Sequence, residues 1–348
     1  MVTAAPPLPP ARGRLSAFLF EHLARPPHAL PPGPNPTGDP LDGDDLHLAL
    51  YACYELHYRG FAGVDDGWEW EPTLLGWRAG LEAAFERRVV EEVGRVRRPR
   101  DVTAELRALA APGDGVSLSA YMRDLGTLDQ LREFAVHRSA YQLKEADPHS
   151  WALPRLHGGP KAAMVEIQAD EYGGGDPRRI HAVLFARAMD ALGLDSRYGA
   201  YVVHLPAVTL ATVNLMSMFG LHRRLRGAIV GHLALFEMTS SIPNRRYANG
   251  LRRLGFDGDA LDFYDEHVVA DAVHENVAAV DLAGGLARQD PTLARDILWG
   301  AAALVELEGR FARHLLDSWA AGAGSLRVPI EPPAAAAGRA ASPAAPGR

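Results

Sequence analysis

Residues 261–280, LDFYDEHVVADAVHENVAAV, carry two histidines and an aspartate in the pattern H-x3-D-x2-H. The spacing of the apolar residues predicts one uninterrupted helix. Because an α-helix turns about 100° per residue, His267, Asp271 and His274 would project within roughly 60° of one another. Imidazole and carboxylate groups on one stripe suit iron, manganese or zinc. The segment predicts a metal-binding face, and three surface residues on an acidic helix are the alternative.

A second acidic residue lies in an apolar setting. Glu237 belongs to the run RGAIVGHLALFEMTSS, which Pro243 is expected to end. Burying a bare carboxylate costs several kcal/mol or more, so Glu237 is expected to be paired, solvated or bound to a metal. A salt bridge to Arg245 or Arg246 is the alternative to metal binding. His232, five residues earlier, is interpreted as a hydrogen-bonded core or surface histidine.

A third acidic segment, EIQADEYGGGDPRRIH, contains Glu171 and His181 on either side of three glycines. In an ideal helix these two residues would point about 80° apart, so binding one metal requires a bulge or break at the glycines. No strand precedes the glycines and no Gly-Lys-Ser/Thr follows them, which argues against a phosphate loop. The ligand from this segment is left open among Glu166, Asp170 and Glu171, with Glu171 preferred.

Length and composition limit the protein classes that need to be considered. The 348 residues are 47% hydrophobic with a formal charge of −7, so nucleic acid and anionic membranes are poor candidate partners. Cys53 is the sole cysteine, which excludes an intrachain disulfide and a thiolate zinc cluster. The N-terminus lacks the pattern of a signal peptide, and no apolar run is long enough for a membrane span. We expect a soluble cytoplasmic protein.

Apolar residues recur at intervals of three and four along most of the chain, which predicts an all-α fold, a helical bundle. Residues 1–40 are Pro-rich and are expected to form an extended, poorly ordered arm with one short helix at 15–23, and residues 326–348 an Ala/Pro tail without order. Beside residues 261–280, helices are predicted at 44–58, 74–96, 102–110, 117–125, 128–145, 161–172, 179–192, 205–218, 222–241, 246–254 and 291–320. Strand-type residues are few, with one short run at 201–203.

The order Glu171, His181, Glu237 and then H-x3-D-x2-H resembles the heme-oxygenase-like diiron oxidases, also described as iron-containing redox enzymes. Further similarity lies in YELHYRGF at 54–61 and in YQLKEADPHSWALPRL at 141–156. The resemblance covers roughly residues 41–320, and residues 41–325 are read as one domain with an N-terminal helical extension. It implies a heme-oxygenase-like helical bundle with additional N-terminal helices. Some relatives have another carboxylate where this chain has Arg178, which puts tight binding of a second metal in question.

The resemblance implies a non-heme diiron oxygenase with Fe(2+), two ions per chain, and dioxygen as co-substrate. The implied ligands and catalytic residues are Glu171, His181, Glu237, His267, Asp271 and His274. The substrate would be a small organic molecule, amino-acid-like or fatty-acid-like, in a biosynthetic pathway. The resemblance is also compatible with an external electron donor and with a homodimer. Supporting residues around the ligands would be Glu55, His57, Asn214 and Tyr264, although Glu55 could simply pair with Arg59.

Other classes of protein remain as alternatives. A metal-free helical-bundle protein would need basic residues facing the carboxylates. A heme-binding oxygenase of the same fold would use one histidine of an early helix and would not require the Asp271 set. A thiaminase-like hydrolase would need a catalytic cysteine, and Cys53 lies outside the three segments that carry the acidic and imidazole groups.

Overall fold

The computed structural model describes residues 5–111 and 117–330, and at 271–273 the backbone alone. Within these ranges the secondary structure is helical and contains no strand. This confirms the all-α prediction. The strand-type run at 201–203 forms part of a short 3₁₀ turn, Val202–His204. No described helix has both the length and the apolar character needed to cross a membrane.

The first five helices precede the part of the chain that carries the acidic and imidazole groups. They are α1 (Arg14–Leu23), α2 (Asp44–Glu55), α3 (Pro72–Val93), α4 (Val102–Ala110) and α5 (Leu118–Asp124). Side chains that accept from backbone N–H groups begin several of them: Glu71 caps α3, Asp101 caps α4 and Ser117 caps α5. These caps satisfy N–H groups that lack partners inside the helix.

The Pro-rich N-terminal segment packs against the bundle over residues 5–40, although its composition predicts a poorly ordered arm. Leu15, Leu19 and Leu23 of α1 are buried in the core. The carboxylate of Asp45 in α2 accepts hydrogen bonds from the backbone N–H groups of Leu15 and Ser16 at 2.8 and 2.9 Å. The amphipathic helix α1 and its hydrogen bonds to Asp45 therefore hold this N-terminal segment against the bundle, although its prolines lack backbone N–H donors. Residues 331–348 of the predicted tail lie outside the described residues.

The middle of the chain forms α6 (Leu128–Gln142), α7 (Asp147–Ser150), α8 (Gly158–Glu171) and α9 (His181–Ala191). The remainder forms α10 (Ala207–Leu221), α11 (Arg226–Arg253), α12 (Asp259–Asn276), a π-helix (Val277–Gly284), α13 (Gly285–Gln289) and α14 (Ala294–Ala320). Helix α10 is apolar nearly all around and almost completely buried, as expected for a central helix. Helix α11 packs against α14, α12, α5 and α10 and forms the other central element.

Helix α11 differs from the prediction of two helices at 222–241 and 246–254. It continues through Pro243, which lacks the N–H that would bond four residues back. The helix packs extensively against the neighbouring helices α12 and α14, so tertiary contacts outweigh the local cost of the proline. The continuity matters because Glu237 lies on this helix just before the proline.

The end of α12 also differs from a regular helix, because residues 277–284 adopt π-helical hydrogen bonding. Side chains from elsewhere satisfy two of its carbonyls: Thr103 Oγ1 donates to the Ala279 carbonyl and Arg288 Nη2 to the Val280 carbonyl, each at 3.1 Å. π-Helical segments are frequent beside functional sites. This one directly follows the helix that carries His267 and His274.

Candidate metal centre

Glu171 and His181 lie close together because the helix breaks at the glycines, as binding to one metal requires. Helix α8 ends at Glu171, the glycine turn follows, and α9 begins at His181. Gly173 has a φ of 75°, and a Cβ there would lie 2.7 Å from the backbone of Arg179 and Ile180. Only glycine fits this turn without strain. The turn brings Glu171 Oε2 to 3.0 Å from His181 Nδ1.

Helix α12 contributes His267 and His274, both buried. The Nδ1–H of His267 donates to the Phe263 carbonyl at 2.7 Å, which leaves Nε2 facing Glu145 Oε1 at 3.6 Å. The His267 ring also lies beside the His181 ring, with 4.4 Å between centroids. Asp271 belongs to the same helix, but its side chain lies outside the described residues. The structure therefore positions the two histidines of the predicted stripe and describes only the backbone of the aspartate.

Two sets of donor atoms converge from these helices. Glu145, Glu171, His181 and His267 form one set, and Glu171, Glu237 and His274 form the other; the donor atoms within each set lie within 4.8 Å of one another. All of these residues are buried, and Glu171 belongs to both sets. A carboxylate has two oxygens, so a shared glutamate suits two neighbouring metal ions.

Glu145 was not among the predicted ligands. It lies in YQLKEADPHSW, a segment that resembles the family's sequence, at the end of the helix predicted at 128–145. Helix α6 instead ends at Gln142, and Ala146 adopts a φ of 75°, a conformation that non-glycine residues rarely adopt. The turn directs the Glu145 carboxylate toward His267. An adjacent lysine and glutamate, Lys144 and Glu145, usually indicate a solvated surface, so the sequence offered no clear signal.

The donor atoms fit a metal better than they fit each other. Glu171 Oε2 and His181 Nδ1 are buried and 3.0 Å apart, yet within the described part of the chain neither has a hydrogen-bond partner of suitable geometry. The same holds for His274 Nδ1 and for Glu145 Oε2. Buried polar atoms are normally hydrogen-bonded. Atoms that approach closely without bonding one another, as Glu171 and His181 do, are arranged as ligands of a cation are.

The electrostatics of the cluster also favour a cation. Burial would raise the pKa of Glu171, but the imidazole of His181 and those of the α12 histidines lower it to about 2. Burial would lower the pKa of His274, but Glu237 and Asp170 raise it to about 9. The carboxylates therefore favour a protonated His274 imidazole when no metal is bound. A metal ion would displace this proton, because an imidazole binds a metal through its deprotonated nitrogen.

The model of the iron-containing redox enzyme family matches residues 132–309. The chain belongs to this family. The matched range contains both sets of donor residues and the helices that carry them. No curated protein matches the chain. Membership assigns an iron-dependent redox function, and the carboxylate and imidazole donors are those that iron(II) accepts.

The three candidate ligands in the acidic segment of this iron-containing redox enzyme, Glu166, Asp170 and Glu171, differ in burial. Glu166 is exposed. Asp170 is 59% exposed and accepts from His274 Nε2 at 3.0 Å, which orients that imidazole from outside. Glu171 faces inward. Arg178 is 86% exposed and pairs with Asp176, so it takes no part in the cluster.

Glu237 does not form the salt bridge that was its alternative explanation. Arg246 donates to the hydroxyls of Ser117 and Ser119, and Arg245 is exposed. The carboxylate of Glu237 lies 3.3 Å from His274 Nδ1. An imidazole partner, rather than a guanidinium, leaves this carboxylate able to bind a metal.

The residues predicted to support the ligands lie in different environments. His57 contacts Glu69 and Arg78, and Asn214 donates to the His47 carbonyl, so both stabilise the N-terminal extension rather than the centre. Tyr264 lines a cavity beside His267. His232 is buried and lies 3.1 Å from His149, between their ring nitrogens. His232 is therefore a core histidine, as interpreted.

Among the residues predicted to support the ligands, Glu55 acts most directly on the candidate centre, because it pairs with Lys144, the residue before Glu145. Lys144 Nζ lies 2.9 Å from Glu55 Oε2, and both side chains are at most 1% exposed. The hydroxyl of Tyr198 donates to the same carboxylate at 2.7 and 2.8 Å. The predicted alternative was pairing with Arg59, whose backbone N–H donates to Glu55 at 3.3 Å.

Hydrogen bonds also hold the backbone on both sides of Glu145. Arg59 donates from Nη2 to the Leu143 carbonyl at 3.1 Å, and Gln168 donates from Nε2 to the Ala146 carbonyl at 2.8 Å. Glu55 and Arg59 precede the range matched by the family model. The N-terminal extension therefore helps to position a donor of the candidate metal centre.

We expect Glu55→Gln to lower the iron content of the protein, because Lys144 loses its anionic partner and the turn carrying Glu145 shifts. Removing one partner of a buried ion pair should also destabilise the fold by roughly 3–5 kcal/mol. Iron analysis and urea unfolding measure the two effects. Glu82→Gln is the matched control, since Glu82 is buried and pairs with Arg78 elsewhere in the extension. A folded Glu55→Gln protein with full iron content would contradict the positioning role.

Two cavities adjoin the candidate centre. A small one of about 10 Å³ lies among Glu145, Glu171, Glu237 and His267, space on the order of one water molecule. A larger one of about 200 Å³ extends from Glu145 and His267 along α6, α11 and α14. Both also contact Phe236 and Ser240. The larger cavity offers room for a small molecule in contact with the candidate ligands.

Proposed function

We propose that the protein is a non-heme diiron oxidase or oxygenase that uses dioxygen to oxidise a small organic substrate, amino-acid-like or fatty-acid-like, in a biosynthetic pathway. The observation that carries this proposal is the pair of buried donor sets that share Glu171. Two bound iron(II) ions would supply electrons to dioxygen. Repeated turnover would require an external electron donor.

The donor sets suggest how the protein would hold two ions. Glu145, His181 and His267 would hold one ion and Glu237 and His274 the other, with Glu171 available to both because it belongs to both sets. Asp271 stays a predicted ligand because it lies on α12 one turn from each histidine. Histidine and carboxylate donors without a thiolate favour iron(II) among the metals considered.

The surrounding residues would control access to the centre. Tyr141, Leu233 and Phe236 line the small cavity and limit its contact with water. The hydrogen bond from His267 Nδ1 to the Phe263 carbonyl fixes the ring so that Nε2 faces the donor set. The larger cavity meets the centre at Glu145 and His267, and a substrate there would lie next to the reacting position.

Anaerobic titration with iron(II) should give about two ions per chain, and exposure to oxygen should then give a transient visible absorption band. The double variant His267→Ala/His274→Ala removes one imidazole from each donor set and should lose both the binding and the band. Retention of full iron binding by this variant would contradict the proposal. A Soret band after heme addition to iron-free protein would instead favour the heme-binding alternative.

A further inference from the structure

A groove of about 450 Å³ lies at the end of the π-helix and shares no lining residue with the two cavities beside the candidate metal centre. Three arginines line it: Arg98 and Arg100 from the connection between α3 and α4, and Arg288 from α13. Among the described residues that line the groove, Asp101 is the one acidic residue. The whole chain carries a formal charge of −7, so the groove is a positively charged concave surface on an acidic protein.

Arg288 is held against the backbone of the π-helix. Its Nη2 donates to the Val280 carbonyl at 3.1 Å. A Cβ at Gly284 would lie 3.1 Å from Arg288 Nη1 and 2.7 Å from Thr103 Oγ1, so a side chain at this position would push both groups away. A guanidinium has five N–H donors, and the Val280 carbonyl uses one of them. The exposed remainder of Arg288 is therefore oriented in advance for an anion in the groove.

The other two arginines of the groove keep their charge available. Arg98 and Arg100 are exposed, and neither forms an ion pair within the described part of the chain. Two nearby carboxylates, Glu92 and Asp290, pair with arginines outside the groove. Asp101 accepts a hydrogen bond from the backbone of α4 as its cap. The groove therefore has donors for an anion that the protein itself does not neutralise.

The number and type of these donors indicate which anion fits. Three arginines against one aspartate leave a net charge of +2 in the lining. Guanidinium groups bind phosphate oxygens through pairs of parallel N–H bonds. A single carboxylate has too little charge and too few oxygens for three guanidinium groups, whereas a diphosphate group has enough of both. A long nucleic acid fits less well, because the rest of this acidic chain would repel it.

We infer that this groove binds a diphosphate group, with its oxygens on Arg98, Arg100 and Arg288. A groove of this size also has room for an organic part attached to the phosphates, along the apolar residues Ala287, Pro291 and Ala294. The inference does not depend on the proposed diiron function. Because Arg288 also donates to the Val280 carbonyl, a ligand there would stabilise the π-helix that follows the helix carrying His274.

Calorimetric titration of the iron-loaded protein with pyrophosphate tests the site, and citrate is the matched probe, since it is a carboxylate anion of comparable charge. Pyrophosphate should bind about tenfold or more tightly than citrate, and its affinity should fall as salt is added. Tighter binding of ADP than of pyrophosphate would support an organic diphosphate as the ligand, and equal binding would support the free diphosphate. Failure of both to bind, or equal binding of citrate, would overturn the inference, as would tighter binding of a DNA oligonucleotide.

Pyrophosphate and citrate also bind free iron, so a second protein separates the groove from the metal. The variant His267→Ala/His274→Ala, which is expected to lose iron, should keep the pyrophosphate affinity of the unaltered chain. Loss of the titration signal in this variant would show that the signal comes from iron and would overturn the inference. Retained pyrophosphate binding in a chain that never binds iron would refute only the diiron proposal.

Variants of the groove test the assigned donors. Arg98→Gln and Arg288→Gln should each weaken pyrophosphate binding about tenfold, because each removes charge-assisted hydrogen bonds. Arg98→Gln leaves the bond from Arg288 to the π-helix intact, so it tests the site even where Arg288→Gln disturbs the fold. Arg245→Gln is the control, since Arg245 is an exposed arginine that does not line the groove. Unchanged affinity in Arg98→Gln and in folded Arg288→Gln would refute the site.

Discussion

Glu171→Ala should reduce the iron content from the two ions per chain of the proposed diiron centre to nearly none, because this carboxylate belongs to both donor sets. His181→Ala and His274→Ala each remove a donor from one set. We therefore expect each histidine variant to retain about one ion. Iron analysis of purified protein after anaerobic loading measures all three outcomes, and oxygen-dependent absorption should fall below detection in Glu171→Ala.

The same helix supplies the controls for this experiment. Glu166→Ala removes an exposed carboxylate one and a half turns earlier on α8, so iron content should be unchanged. Asp170→Ala removes the outer partner of His274 and should weaken iron binding about 10- to 100-fold, without abolishing it. Circular dichroism confirms that each variant folds. Equal iron contents in Glu171→Ala and Glu166→Ala would show that the shared carboxylate is not a ligand.

The helices could be predicted from the sequence because their apolar spacing and caps agree with the tertiary structure. The prediction for α4, residues 102–110, matches its observed bounds, since Asp101 caps it and the apolar residues face the core. The predicted helix break at Pro243 was wrong, because a prediction from the proline alone does not account for the packing of α11 on α12 and α14. The packing of the N-terminal segment likewise depends on Asp45, a residue far along the chain from α1.

The candidate centre was predictable where spacing along one segment carries the information. His267 and His274 share a helix, and Glu171 and His181 flank one turn, so residue types and intervals suggested that they act together. Glu145 has no such local relation to the others. Its burial depends on a turn held by Glu55, Arg59 and Gln168 from other elements, which no pattern in its own segment records.

Substituting the glycines where α11 crosses α14 should destabilise the fold strongly. A Cβ at Gly231 would lie 1.8 Å from the Ile297 carbonyl oxygen, and one at Gly300 would lie 2.0 Å from that of Ala228. The obstructing atoms are helix backbone, so the helices must separate. We expect Gly231→Ala to destabilise the fold by about 3 kcal/mol, the upper part of the range for overpacked cores. Urea unfolding followed by circular dichroism measures the change.

Gly80→Ala is the matched control, because Gly80 is exposed within α3 and nothing lies within 4 Å of its Cβ position. This substitution should stabilise the protein by about 0.5–1 kcal/mol, since alanine favours a helix over glycine. Helix α11 also carries Glu237, less than two turns beyond Gly231. Displacing α11 should therefore weaken iron binding in Gly231→Ala, whereas Gly80→Ala keeps it. Equal stability of the two variants would show that the crossing can relax without separating the helices.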